Sequence, residues 1–380
     1  MNNLQKKQLV IVINNIDGGT GTYLKQLYRL QELMPGYKIR TLCIHAPQYR
    51  SNDLPNISFF QNDSMQQEKF SLRIVTIQKY FRVAMWLQRQ LKSHSPEYII
   101  SVDIYCNILV ALLYLFPFNN RPKLILTTHI NLKENIRHRS SRLLQSILKT
   151  LVSNLYNVAD KVVAVSSDIT KQHITYFGID KTKCITIPNG VRTVGVSRVR
   201  NHTYRLVTAA RLVSQKDFST LISAVKLAAM TIPEIQLFIY GDGPERTKTE
   251  RMIEENTAND SVVMKGWTQN VLREFDNADV FIFSSHREGF GYVIVEAMSQ
   301  GLPVISTDTP HGPAEILNKG EFGILVPMKN PKAMSDAIIA LCTDAEKYSY
   351  YSNKSLQRAS FYSEDAMVQA YCHLLQETSK

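Results

Sequence analysis

Residues 284–307 read SSHREGFGYVIVEAMSQGLPVIST. The stretch prolongs an apolar run, VFIFSS (280–285), into a glycine turn, continues with helical spacing, and ends in a second apolar run, PVIST (303–307). Strand, turn, helix and strand in that order make a parallel βαβ unit, whose strands are covered on both faces and therefore read as continuous hydrophobic runs. Two carboxylates bracket the unit's turn and helix: Glu288 precedes Gly289, Phe290 and Gly291, and Glu296 follows the apolar run 293–295. Ligands of doubly wound sheets bind beyond the carboxyl ends of the strands, so this turn is where chemistry is expected.

The same alternation extends in both directions. Apolar, β-rich runs recur at 9–14, 39–46, 98–103, 123–129 and 161–166, and a second series follows at 205–211, 235–243, 261–267, 280–285, 303–307 and 323–327. Helical patterns lie between them, which predicts two doubly wound α/β domains. The segment PNGVRTVGVSRVRNHTY (188–204) has no clear period and reads as the linker. The expected organisation is a Rossmann-like domain over 1–190, a second over 191–363, and a C-terminal helix over 364–380 that packs back on the first domain, with the two domains facing across a cleft.

Composition limits the alternatives. The chain has 380 residues, 44% hydrophobic and 20% charged, which suits two globular domains. Its five cysteines, Cys43, Cys106, Cys184, Cys342 and Cys372, form no C-x-x-C pair and read as reduced thiols of a cytosolic protein. QLVIVI (8–13) is too short for the apolar core of a signal peptide and reads as a first strand. The apolar stretch 98–118 is broken by Asp103, Asn107 and Pro117, so a strand followed by a helix is expected there rather than a membrane span.

Charge is uneven. Residues 1–190 carry 24 Lys and Arg against 11 Asp and Glu, a net +13, whereas the remainder is −2. An anionic partner is thus expected for the first half alone. Lys133, Arg137, His138, Arg139, Arg142 and Lys149 fall among leucines and isoleucines between 133 and 152, a basic amphipathic segment suited to the acidic inner face of a membrane. A solvated face above an ordinary core stripe is an equally open reading. No aromatic platform or zinc-ligand spacing accompanies the charge, so nucleic acid is not expected as a partner.

Several strand ends carry groups suited to a phosphorylated sugar. NNIDGGTGTYLKQL opens a helix with Gly18, Gly19 and Gly21, where backbone N–H groups can approach an anion, although a ligand-free βα turn would look the same. Its spacing is not the G-x-G-x-x-G of a dinucleotide site. Arg211 follows one strand and Lys216 opens the next helix, a fork and a point charge for phosphate. YGDGPE (240–245) adds a second glycine turn, with Asp242 and Gly243. Asp17, Asp103 and Glu315 also stand near strand ends, with structural roles equally open. There is no D-x-D pair and no His/Cys cluster of metal-ligand spacing.

In this context the opening stretch, together with AARLVSQKDFSTLISA, IYGDGPE, IPNGV and NIDGGTGTYL, resembles the retaining glycosyltransferases of family 4, which have the GT-B fold. The most specific part is the E-x7-E stretch with its EAM and G-x-P-V-I continuation. The resemblance implies that Glu296 binds the ribose hydroxyls of a nucleotide, that Glu288 faces the donor sugar, and that N–H groups about Phe290 and Gly291 meet sugar hydroxyls or diphosphate. It implies that Arg211 and Lys216 neutralise the diphosphate, and that His129 lies close to the transferred sugar; a core histidine is the alternative. Asp242, Gly243, Gly18 and Gly19 complete the expected donor-binding set. The pattern departs from the family's at Ala210 and Asp217, where glycine is common, and at Val293, where proline is frequent.

The expected activity is transfer of a hexose or N-acetylhexosamine, with retention, from a UDP-linked nucleotide sugar to a glycan or glycolipid acceptor in bacterial surface polysaccharide or lipopolysaccharide assembly. No metal or other cofactor is expected, and the expected location is cytoplasmic, peripheral at the inner membrane face. A nucleotide-sugar epimerase of the same fold and a non-catalytic nucleotide-sugar-binding subunit are the alternatives.

Overall fold

Strands that are apolar on both faces need helices above and below, and the chain meets this with two parallel sheets. The computed structural model of the chain describes residues 6–16, 19–45, 55–60, 74–118, 120–139, 141–193, 204–255, 261–309 and 312–379. They divide into two compact units, one formed by Met1–Pro188 with Met367–Lys380 and the other by Asn189–Ala366. In the first, β1 (Lys7–Ile13), β2 (Tyr37–Cys43), β3 (Ile57–Phe59), β4 (Tyr98–Val102), β5 (Lys123–Thr128), β6 (Lys161–Ala164) and β7 (Cys184–Thr186) are ordered β3-β2-β1-β4-β5-β6-β7. In the second, β8 (Arg205–Ala209), β9 (Gln236–Tyr240), β10 (Val262–Gly266), β11 (Val280–Phe283), β12 (Val304–Thr307) and β13 (Ile324–Val326) are ordered β10-β9-β8-β11-β12-β13. Neighbouring strands pair in parallel throughout both sheets.

Each sheet starts in the middle and is wound outward in both directions, so strand order reverses between β1 and β4 and again between β8 and β11. These reversals are the points where loops diverge and leave a crevice at the carboxyl ends. The α/β class and the pair of Rossmann-like sheets agree with the sequence reading, and every apolar run named above contains a strand. β3 and β7 were not among those runs. Both are three-residue edge strands, half-buried, too short to show a period.

One face of the first sheet packs Val10, Val12, Ile99 and Leu126 against helices Ile74–His94, Ile104–Leu113 and Arg142–Asn157. The other packs Leu9, Ile11 and Ile100 against helix Gly19–Tyr28 and against Met367, Tyr371 and Leu375 of the C-terminal helix Glu364–Ser379. The stretch 98–118 is a strand and a helix, and among the described residues no helix is long and apolar enough to cross a membrane. The basic segment is two helices rather than one, Leu132–Arg139 and Arg142–Asn157. Of the expected linker, Val191 forms a bridge to Ser363 and donates its N–H to Tyr362 O at 2.7 Å, while 194–203 lie outside the described residues.

Candidate functional site

In the second unit, the loops leaving β8 and β11 meet at the strand-order reversal. Ser214–Lys216 forms one 3-10 turn, and Asp217 follows in the left-handed region, φ 43° and ψ 52°. An L-residue rarely rests there, which explains why glycine is common at this position in the family that the sequence resembles. Aspartate tolerates the conformation and caps helix Phe218–Ala229, accepting from the Thr220 N–H at 3.4 Å and the Thr220 hydroxyl at 2.7 Å. Ser284, at the end of β11, donates to the carbonyls of Lys216 and Asp217 at 2.7 and 2.9 Å and ties the two loops together.

That tie fixes Lys216 beside Glu288. Lys216 Nζ meets Glu288 Oε1 at 2.5 Å and lies over the Phe283 ring, 4.6 Å from its centroid. The same carboxylate oxygen accepts from Ser285 Oγ at 3.0 Å and Gln215 Nε2 at 3.4 Å. With the two side chains only 15% and 11% exposed, the pair is largely removed from water. Arg211, by contrast, is exposed and has no side-chain partner among the described residues.

The turn after β9 holds the backbone beside Arg211. Leu212 donates to Asp242 O at 2.9 Å and accepts from the Glu245 N–H at 3.0 Å. A Cβ on Gly243 would stand 2.4 Å from Leu212 O, so only glycine permits this approach. The Asp242 carboxylate is taken up locally, by the Gly243 N–H at 2.7 Å and by Arg246 at 3.5 Å.

Phe290 is buried, edge-on to Tyr292 and Tyr362 at 5.6 and 5.5 Å between centroids. Gly291, at φ 109°, then turns the chain into helix Tyr292–Ser299, a backbone that L side chains rarely adopt. The first N–H groups of a helix have no acceptor within it and carry the positive end of its dipole. Ile294 and Val295 anchor the helix in the core and leave Glu296 half-buried on its side. The Glu296 carboxylate has no hydrogen-bond or ion-pair partner among the described residues, and burial pushes it up to about 7.

In the first unit, His129 follows β5. Its Nε2 lies 3.3 Å from Thr127 Oγ1, its ring is edge-on to Tyr23 at 4.4 Å, and burial lowers its pKa to about 4, so it is neutral. Tyr23 belongs to the helix that Gly19 opens, and its hydroxyl meets that of Tyr371 at 2.6 Å. Gly18 and Asp17 lie outside the described residues. Asp103 is structural: at φ 74° it caps helix Ile104–Leu113 through Tyr105 and Cys106 N–H, at 2.9 and 3.1 Å, and accepts from Asn14 N–H at 3.2 Å.

The second unit thus brings Lys216 and Glu288 into direct contact, joins the Asp242–Gly243 turn to the backbone next to Arg211, and carries Phe290, Gly291 and Glu296 on one turn and helix. His129 and Gly19 are associated through Tyr23 in the first unit. The sequence reading did not single out Ser285, Gln215, Tyr362 or Arg358. Ser285 lies inside the quoted motif, and its spacing of three before Glu288 was the available signal. Arg358 donates to Glu315 O at 2.8 Å, to Ile316 O at 2.7 Å and to the Tyr362 hydroxyl at 3.0 Å, bracing the residues behind Phe290. No local pattern signals such a contact.

Two family models match the chain in succession, Glycosyltransferase Family 4 over residues 18–194 and Glycosyl transferases group 1 over residues 196–358. The poly(glycerol-phosphate) alpha-glucosyltransferase of Bacillus subtilis is 31% identical over 182 residues, 48% of this chain and 27% of that protein. The UDP-N-acetylglucosamine–peptide N-acetylglucosaminyltransferase GtfA subunit of Streptococcus agalactiae is 35% identical over 159 residues, 39% of this chain and 31% of that one. The chain therefore spans only about three-tenths of the length of these relatives. Among solved structures, Anabaena Alr3699/HepE in complex with UDP superposes with a TM-score of 0.79 at 17% identity, covering 97% of this chain and 100% of that one, a likeness of fold. With consecutive family models over both Rossmann-like units, the chain belongs to the family 4 glycosyltransferases of GT-B fold.

Proposed function

We propose that the chain transfers a hexose or N-acetylhexosamine from a UDP-linked sugar to a glycan or glycolipid acceptor, with retention of anomeric configuration, in surface polysaccharide or lipopolysaccharide assembly. The observation that carries this reading is Glu296: a half-buried carboxylate on the side of the helix that Gly291 opens, with no cation against it among the described residues, is costly unless a ligand supplies donors. Ribose hydroxyls are such donors. The diphosphate would lie toward the start of that helix, between Lys216 and the exposed Arg211, so that fixed positive charge meets the charge that develops on the leaving group. No metal is required in this scheme.

Cleavage of the bond between the sugar's anomeric carbon and the phosphate oxygen leaves the electron pair on the diphosphate. The acceptor oxygen bonds the same carbon from the same face, and its proton passes to the departing phosphate oxygen. Glu288, held by Lys216 and Ser285, would face the sugar. The activities for which the two relatives are named, glucosyl and N-acetylglucosaminyl transfer, support a hexose or N-acetylhexosamine donor.

The test is incubation with a panel of UDP-sugars and glycan or glycolipid acceptors, following UDP release and the anomeric proton of the product. A new α-glycoside from an α-linked donor is expected. An altered sugar still attached to UDP would indicate an epimerase, and absence of both turnover and UDP binding would refute the reading.

A further inference from the structure

Helix Arg142–Asn157 carries more apolar surface than its sheet covers. Val152, Leu155 and Tyr156 are buried in the first unit, yet Leu143, Leu144, Ile147 and Leu151 are 75%, 37%, 55% and 39% exposed. Positions 143, 147 and 151 lie four apart and form one stripe along the helix. A surface helix needs one apolar stripe of about 100° against its core; this is a second one, turned outward.

Neighbouring helices extend the feature. Ile104–Leu113 packs beside both Arg142–Asn157 and Ile74–His94 on one face of the sheet. Just past its end, Leu115 and Phe116 are 63% and 59% exposed, and on Ile74–His94 Phe81 and Met85 are 67% and 37% exposed. Isolated apolar side chains are ordinary on a surface, but a contiguous group marks a contact.

The charges on these helices have one sign. Neither Ile74–His94 nor Arg142–Asn157 contains Asp or Glu. Arg82, Arg89, Lys92 and Arg142 are exposed, and Phe81, Met85 and Arg89 recur every four residues, so apolar and cationic groups share an outward face. Asp160, which follows the last helix, is paired with Lys123 at 3.7 Å. A second copy of the chain would bring cations against cations, and like charges in apposition disfavour that contact.

We propose that this three-helix face docks on an anionic phospholipid bilayer, the aliphatic side chains entering the boundary of headgroups and acyl chains while the arginines and lysines meet lipid phosphates. Both components are those of an interfacial amphipathic surface. The inference does not depend on the donor assignment, since none of these residues belongs to the proposed donor site.

Co-sedimentation of the full chain with phosphatidylcholine vesicles, with and without phosphatidylglycerol, tests it. Binding to the acidic vesicles alone, weakened by salt, is expected. Replacing Arg82 and Arg89 together by glutamine is expected to weaken binding about twenty-fold or more, at about fivefold per charge. Leu143→Ser with Ile147→Ser is expected to weaken it about tenfold at fixed salt, as aliphatic burial is lost. All four substituted positions are exposed, so unchanged thermal unfolding and UDP binding serve as controls. The proposal is overturned if the wild type ignores acidic vesicles or if both variants bind them as the wild type does. It is equally overturned if the wild type is a dimer in solution that the Leu143→Ser, Ile147→Ser variant dissolves, with vesicle binding unaffected.

Discussion

Glu296 links the site's chemistry to its stability. Its folded pKa is about 7 against 4.5 for an unperturbed glutamate, and the shift comes from burial. A raised folded pKa means that the contribution to stability is intact below about 4.5 and is lost as pH rises through about 7. Glu296→Gln is therefore expected to leave stability nearly unchanged at the acid end and to raise it by about 2 kcal/mol at pH values above 7, allowing for partial exposure. The same variant is expected to bind UDP more weakly, a stability gain against a loss of function, checked by thermal melts over pH and by calorimetric titration with UDP. Lys216 is held differently, in a pair that excludes most water. Removing one member of such a pair leaves the other uncompensated, so Lys216→Met is expected to cost about 2 kcal/mol in stability and to lower kcat/KM about a hundredfold, through loss of charge at the leaving group. With Glu288→Gln already present, the same change should cost clearly less stability. Equal costs in both backgrounds would show that the two residues do not interact energetically.

At the level of elements, the turn after β9 meets the loop carrying Arg211 through backbone groups. Gly243→Ala would set a Cβ within 2.4 Å of Leu212 O and 2.8 Å of Leu212 N, neither of which can swing aside as a side-chain tip does. The loop carrying Arg211 must shift, so a loss of about 2 kcal/mol or more in denaturant unfolding and a weakened UDP affinity are expected together. Loss of stability with unchanged affinity would separate that turn from the donor site. Such turns and the strands between them were legible in the sequence because a parallel strand buried on both faces leaves an uninterrupted apolar run, as in β1 and β11. Glu288, Gly291 and Glu296 were legible because their spacing around one helix start is local. Asp217 was read as a departure from a glycine pattern; that it keeps glycine's left-handed backbone while capping a helix depends on dihedral angles that the residue type does not reveal. Ser285 stands three residues before Glu288, but Gln215 reaches the same carboxylate across 73 residues of chain, a tertiary fact without a local signature.

At the scale of the whole molecule, the chain leaves the first unit at Pro188 and returns to it at Met367, so the stability of the first unit depends on residues separated from the rest of it by the whole second unit. The returning helix contributes Met367, Val368, Tyr371, Leu374 and Leu375 to the core beneath β1 and β4. Its polar atoms are equally committed: Tyr371 and Tyr23 share a 2.6 Å hydrogen bond, and Tyr98 donates to Leu375 O at 2.7 Å. Tyr23 in turn packs on His129, so the helix supports a candidate site residue through one intervening ring. Truncation after Ala366 would expose Leu9, Ile11 and Ile100 and leave the Tyr23 hydroxyl without that partner. Burial of five such side chains is worth several kcal/mol at about 1.5–3 kcal/mol each, comparable with the whole stability of a domain. The truncated chain is therefore expected to lose the first unit's cooperative unfolding transition while the second keeps its own, seen as rapid proteolysis confined to residues before 188 and a surviving fragment that still binds UDP. Tyr371→Phe, which removes one hydroxyl and no apolar surface, should cost only about 1 kcal/mol. If that single change were as damaging as the truncation, the hydrogen bond rather than the buried surface would hold the helix in place.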